Sequence, residues 1–331
     1  MASRAAAQTP KRGGTLSLRT WDPPHFDHIL AHAYKTHVVI SFTHSRLLRH
    51  KAGPGIRPGT LPIEGDLAES WQQTSEVEEY PSNVVNLIDM RTDKPPFSDV
   101  RVRQAVSLAM DRKGIIDSTL EGVGAVNGPL PAALSDWALP IAELGEGARY
   151  YRHDPVEARR LLAAAGYPNG LPASVCFATY GSTQLVDTMQ LVLKDLKAVG
   201  IGATLDQKEY GAYQATCRLG KFDSMVFGPL TPFLEPDSFL FGQYYTGEPR
   251  NRSHVSDPVL DDVLVRQRRT ADPKGRREVI NQIERHLAKQ QYYVQAPSGT
   301  YVGVWDAALK NYRPNLGYDY GGRLVAAWLD R

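Results

Sequence analysis

The chain has 331 residues, 42% of them apolar and 22% charged, a globular composition with length enough for two domains. Lys and Arg number 38 against 36 Asp and Glu, a formal net charge of +2, so no electrostatic argument points to nucleic acid or an anionic membrane as partner. No apolar run reaches the roughly 18 residues that a transmembrane helix needs.

The opening "MASRAAAQTPKRGG" lacks the apolar core of a secretion signal. Its "AAAQTP" is like the small-residue tail that ends one, and the sequence is expected to begin near a cleavage point. "GGTLSLRT" predicts a short strand over residues 15–20, opened by glycines and stopped by Pro23 and Pro24. Six of the nine histidines follow, namely His25, His28, His32, His37, His44 and His50. On a helix, His25, His28 and His32 would share one face, as a divalent transition metal requires. Against a metal, the prolines put His28 just after a turn, and no carboxylate or cysteine stands ready as a fourth ligand. Exposed or hydrogen-bonded histidines are therefore expected, with no metal and no cofactor. A histidine-liganded metal-binding protein or a metal-dependent hydrolase is the alternative.

A loop dense in Gly and Pro and the segment "DLAESW" lead to "YPSNVVNLIDM", read as one strand over 80–90. "PPFSDVRVRQAVSLAMDR" predicts a helix capped by Ser98 or Asp99, with Val102, Ala105, Val106, Ala109 and Met110 as its apolar stripe. "HDPVEARRLLAAAGYPNG" predicts another, with Asp154 as N-cap, Pro155 first in the helix, Glu157 closing a capping box and Gly166 as the left-handed stop. A strand at 173–180, a helix from Ser182 to Gly200 and a strand at 201–207 make a βαβ unit, whose strands should be parallel and adjacent. The inner face of that helix is Leu185, Met189, Val192 and Leu196. "FDSMVFG" adds a strand, and helices follow around Pro258–Arg269 and Arg276–Gln290. Residues 85–300 thus read as an α/β lobe.

Catalytic motifs are missing. There is no His-Glu-x-x-His, no Gly-x-Ser-x-Gly and no Gly-x-x-x-x-Gly-Lys-Ser/Thr. "GVGAVNG" (122–128) follows a helix rather than a strand and reads as a turn. Asp261–Asp262 and Glu78–Glu79 are neighbours in sequence and so point apart, which makes neither pair a carboxylate dyad. No catalytic residue and no enzymatic activity are expected. Cys176 and Cys217 are too few for a disulfide framework. A buried thiol is expected for each, with a single bridge between them as the lesser alternative.

Several segments, in order, resemble the extracytoplasmic solute-binding proteins of peptide and nickel ABC importers, family 5. They are "GGTLSL", "WDPPHFDHIL", "SRLLRHKAGP", "IEGDLAESW", "KPPFSDVRVRQAVSLAMDRKGII", "YRHDPVEARRLLAAAGYPNG", "LKAVGIGATL" and "DPKGRREVINQIERHLAKQ". The resemblance implies an α/β, periplasmic-binding-protein-like two-lobe fold that captures a small solute between its lobes and delivers it to a membrane permease. The solute would be peptide-like, opine-like or a metal chelate. The protein would be a monomer with a periplasmic or extracytoplasmic location. On this reading residues 1–76 begin lobe I, 77–94 form a hinge-like junction, 95–300 form a complete lobe II, and 301–331 return to lobe I. A long block that follows "DLAESW" in the family is absent here, so lobe I is truncated. The resemblance also implies solute contacts at Trp21, Asp22, Tyr180, Phe227, Thr231 and Phe233, near the carboxyl ends of strands. Peptide-binding members carry an Asp for the peptide's ammonium where this chain has Pro232, which disfavours a free peptide.

Overall fold

A computed structural model of the chain describes residues 48–50, 63–65, 75–231, 233–312 and 327–330. It separates residues 1–74 from residues 75–331. In the first unit, β1 (Leu48–His50) pairs antiparallel with β2 (Ile63–Gly65), Arg49 opposite Glu64. The expected strand at 15–20, the histidine segment up to residue 47, and Trp21 and Asp22 lie outside the described residues.

The second unit opens with β3 (Ser75–Pro81) and β4 (Asn86–Met90). The expected single strand over 80–90 is therefore two strands in different sheets. Ser82 and Asn83 are buried at the break, where the Ser82 amide donates to Gly299 O (2.9 Å) and the Asn83 side chain to Phe233 O (2.8 Å). The first bond extends the β3–β10 pairing by one residue and the second ties the connector to the loop after β8, so β3 does not run on into β4. Next come α1 (Val100–Ala109), α2 (Arg112–Thr119) and the short β5 (Gly124–Ala125). Asp99 caps α1, accepting from the Arg101 amide, and the whole expected stripe from Val102 to Met110 is buried.

In α3 (Pro155–Ala164), Asp154 accepts from the Glu157 amide at 3.0 Å, and Gly166 takes φ +99° after the last turn. The capping box is not closed, because the Glu157 carboxylate turns to Arg160 and the Asp154 amide donates to Leu108 O. β6 (Leu171–Phe177), α4 (Thr183–Ala198) and β7 (Ile201–Gln207) form the predicted crossover, and β6 and β7 pair in parallel. The first of these strands lies earlier than the expected 173–180. Gly170 and Gly200, both left-handed, let the two strands start side by side, and Tyr180 and Gly181 turn the chain away at φ +51° and +69°.

A short α5 (Tyr210–Ala215) precedes β8 (Met225–Pro229), which begins three residues later than "FDSMVFG" suggests. Phe222 there is packed under α5, and its carbonyl accepts from Arg91. Then follow α6 (Pro236–Tyr244), α7 (Pro258–Arg269) and α8 (Pro273–Gln290), the last started by Asp272 and Pro273 rather than at Arg276. The chain ends with β9 (Tyr293–Gln295), β10 (Ser298–Asp306), β11 (Leu309–Lys310) and β12 (Trp328–Leu329).

The central sheet has the order β7-β6-β8-β4-β9. β6 is parallel to β7 and β8, while β4 is antiparallel to β8 and β9. Alternation along the strands sorts residues by face. Val175, Phe177, Met225, Phe227 and Ile88 face a core shared with α1, α3 and α4. Cys176 and Val226 point the other way, toward Tyr213, Cys217 and Phe222. A third cluster packs α6, α7 and α8 around Leu87 and Tyr293. Cys176 and Cys217 are joined in a disulfide, which corrects the expectation of two buried thiols. The strand alternation and the 3-10 turn Cys217–Leu219 bring them together, although 41 positions separate them in sequence.

Candidate functional site

The carboxyl ends of β6, β7 and β8 lie along one edge of the sheet, where an open α/β sheet leaves room for a ligand. Two of these ends form a cleft of 630 Å³, lined by Ala178–Gly181 after β6 and Gln207–Tyr210 after β7. Tyr180 is half-buried on its inner wall at φ +51°. Positive φ is uncommon for any residue with a Cβ, and it holds the ring at an angle that an extended chain would not give.

The Tyr180 ring meets two other tyrosines edge to face, Tyr210 at 5.0 Å and Tyr213 at 5.7 Å. Such pairs prefer this arrangement because the positive edge of one ring meets the negative face of the other. Tyr210 is 51% exposed and forms the outer wall, whereas Tyr213 is fully buried and donates to Phe227 O at 3.4 Å. Burial raises the Tyr180 and Tyr213 hydroxyls above the ordinary phenol range, so both remain neutral hydrogen-bonding groups. Glu209 starts α5 and accepts from the Ala212 amide at 3.2 Å. Bonds from backbone amides of this turn hold its carboxyl below the usual range. Lys208 pairs with Asp206 at 2.9 Å.

Beside the cleft, the end of β8 is fastened to neighbouring segments. Leu230 N donates to Val85 O at 2.8 Å, and Arg218 Nη1 donates to Pro229 O at 3.1 Å. Phe233 is half-buried, with its ring 5.9 Å from that of Phe239 and the Arg250 guanidinium 4.9 Å from its centre. Behind the rim, Asp89 and Arg252 make a buried ion pair, and burial raises the Asp89 carboxyl to about 6.

Of the four expected contact residues that are described (Tyr180, Phe227, Thr231 and Phe233), only Tyr180 lines the cleft, and Trp21 and Asp22 lie outside the described residues. Phe227 is fully buried, its ring 6.3 Å from that of Phe177, so it supports the rim from the core and offers nothing to a solute. Thr231 is exposed and Phe233 half-buried on the loop after β8. Tyr210, Lys208 and Gln207 are additional lining residues that no motif announced. Among the described residues, no group of three or more His, Cys, Asp or Glu could hold a metal ion, and the histidine cluster ahead of residue 48 lies outside them. No helix among the described residues is long and apolar enough to cross a membrane.

Residues 58–251 match the family described as "Bacterial extracellular solute-binding proteins, family 5 Middle". The chain is 26% identical to the periplasmic oligopeptide-binding protein OppA of Escherichia coli over 271 residues, which is 79% of this chain and 49% of OppA. Its fold is similar to that of HbpA2 from Haemophilus parasuis, with a TM-score of 0.66 and 22% identity, covering 78% of this chain and 50% of that one. AgaA from A. tumefaciens R10, solved with agropinic acid, has a TM-score of 0.63 and 22% identity, covering 78% of this chain and 53% of AgaA. The chain thus spans about half the length of the relatives it matches. A family match over more than half of its residues, with a sheet and crossover of the same fold, makes the chain a member of the bacterial extracellular solute-binding proteins, family 5.

Proposed function

We propose that the protein is the solute-binding component of an ABC importer, which captures a small solute at the rim described above and hands it to a membrane permease. No chemistry is done on the solute. The observation that carries this reading is the 630 Å³ cleft at the ends of parallel strands, with Tyr180 held at positive φ against Tyr210 and Tyr213. A volume of this order suits a small organic molecule, and tyrosines supply flat apolar area together with hydroxyls that fix orientation. Residues 95–300 are the lobe that presents this rim, Tyr180 and Tyr210 contact the solute, and Thr231 and Phe233 extend the surface. Trp21 and Asp22 are proposed solute contacts on the strength of the family resemblance alone.

OppA is named for oligopeptides and AgaA was solved with agropinic acid, so the solute class is small, polar and organic. The location is extracytoplasmic. The Cys176–Cys217 disulfide supports it, because such bonds persist in oxidising compartments. The working form is a monomer.

Thermal-shift and calorimetric screening against peptides, opines, sugars and metal chelates tests the reading. A ligand at a hundredfold its Kd adds about 2.7 kcal/mol to the folded state, a readily measured rise in Tm. At least one class should shift the wild-type protein, and Tyr180→Ala together with Tyr210→Ala should abolish the shift. Indifference to every class, or a shift untouched by both substitutions, refutes the proposal.

A further inference from the structure

Two walls of the cleft at the ends of β6 and β7 are aromatic. The Tyr180 and Tyr210 rings stand at 78° to each other with their centres 5.0 Å apart, and both line the cleft. Rings in that relation enclose a right-angled corner, one wall from each. Tyr213, fully buried and at 82° to Tyr180, backs the inner wall and fixes its angle. The outer wall, Tyr210, is open to solvent. Elsewhere in the chain, arginines lie over aromatic rings such as Phe222, Tyr292 and Phe233. Among the described residues none lies over Tyr180 or Tyr210, so the corner has no cation of the protein's own.

The charges lining the cleft favour a cation. Lys208 is neutralised by Asp206 at 2.9 Å. Glu209 has no cationic partner among the described residues. Its bonds are to backbone amides of its own turn, which are neutral donors and leave its negative charge uncompensated. An ammonium whose hydrogens are replaced by methyl groups has no donors left to give, and the negative face of an aromatic ring is what attracts it. A corner of two ring faces beside one carboxylate meets both of its properties, the greasy surface and the charge.

We propose that the solute taken at this cleft carries a methylated ammonium group, which sits in the corner of Tyr180 and Tyr210 with Glu209 as its counter-charge. The inference rests on the cleft being the solute site and adds the chemical group that the cleft selects. A volume of 630 Å³ holds that group together with a small organic body attached to it.

Calorimetry on the full chain tests it with three probes: choline, its uncharged carbon isostere 3,3-dimethylbutan-1-ol, and ethanolamine. The isostere keeps the shape of choline without the charge, and ethanolamine keeps the charge without the methyl groups. Choline should bind at least about tenfold more tightly than either, as two ring faces would discriminate. Tyr210→Leu should weaken choline binding by about fivefold or more, the size of one cation–π contact, and Tyr210→Phe, which keeps the ring, should weaken it less. Glu209→Gln, which keeps an acceptor for the Ala212 amide, should also weaken it. Unchanged circular dichroism in the variants excludes misfolding as the cause. Equal binding of the isostere or of ethanolamine, failure of choline to bind, or choline binding unchanged in Tyr210→Leu or in Glu209→Gln overturns the inference. If a peptide, opine, sugar or chelate gives a thermal shift that Tyr180→Ala with Tyr210→Ala abolishes while choline does not bind, the methylated ammonium falls and the solute site stands. If no solute of any class binds, both fall.

Discussion

Arg252 and Asp89 form an ion pair at 3.3 Å although their side chains are only 5% and 1% exposed. Removing one partner from such a pair costs about 3–5 kcal/mol, because the other charge is left buried and alone. Asp89→Ala should therefore destabilise the protein by that amount, all the more because Arg252 Nε already lacks a hydrogen-bond partner. The double replacement Asp89→Leu with Arg252→Met should cost less than the single one. Urea denaturation of the three proteins checks this, and a double variant weaker than Asp89→Ala would contradict it.

Buried carboxyls set one component of the pH dependence. Burial raises Glu284 from 4.5 to about 8, even though its carboxyl accepts from the Leu139 amide at 3.0 Å. Its folded value lies above its unfolded one, so its contribution to stability is complete below pH 4.5 and is lost as pH rises through about 8. Glu284→Gln keeps the acceptor and removes the ionisation. The difference in unfolding free energy between variant and wild type should move in the variant's favour from pH 5 to pH 8.5. A difference independent of pH would show that Glu284 ionises as freely in the fold as outside it.

The Cys176–Cys217 bond closes a loop across 41 positions of sequence, and loop-closure entropy assigns such a cross-link about 4 kcal/mol. Thermal unfolding should occur at a lower temperature in the Cys176→Ser/Cys217→Ser variant. Reductant should lower the wild-type Tm and leave that of the variant alone. The bond ties β6 to the turn after α5, so its loss should also weaken solute binding at Tyr210.

Gly228 supports the cleft from behind. The Tyr213 hydroxyl lies so close to its Cα that a methyl group there would overlap it. Gly228→Ala should cost about 1–3 kcal/mol by overpacking and should displace Tyr213, and with it Tyr180. Gly202→Ala, whose new methyl would make only an ordinary contact with Leu171 O at 3.7 Å, serves as the control. Both Tm and solute affinity should fall in the first variant. Only small changes are expected in the second.

Much of the second unit was legible because its elements carry their own punctuation. Asp154 and Pro155 start α3, Gly166 ends it, and Ser182 and Gly200 bracket α4, each through a local backbone requirement that sequence displays. The break between β3 and β4 was not legible, since Ser82 and Asn83 are held by bonds to Gly299 and Phe233, more than 140 residues away. The disulfide escaped for a similar reason: pairing two cysteines needs the strand faces and the turn at 217, which spacing alone does not provide. In the candidate site, Tyr180, which lines the cleft, stands out in sequence because it follows an apolar strand. Tyr210 and Lys208 sit in the polar stretch "DQKEYGAYQ", and nothing local distinguishes them from solvent-facing residues. Phe227 misled because an aromatic near a strand end reads the same whether its ring points to the rim or into the core.

β3 lies hydrogen-bonded along β10, with Ser75 opposite Asp306. The chain therefore enters the second unit and leaves that ladder at neighbouring points, like two wires of one plug. Among the described residues, the strand pairings of the five-stranded sheet all fall between residues 86 and 295, after Ser75 and before Asp306. A lobe wired in this way is a portable cassette. An engineer could splice it into a host loop whose two ends are only one strand-spacing apart, as Ser75 and Asp306 are.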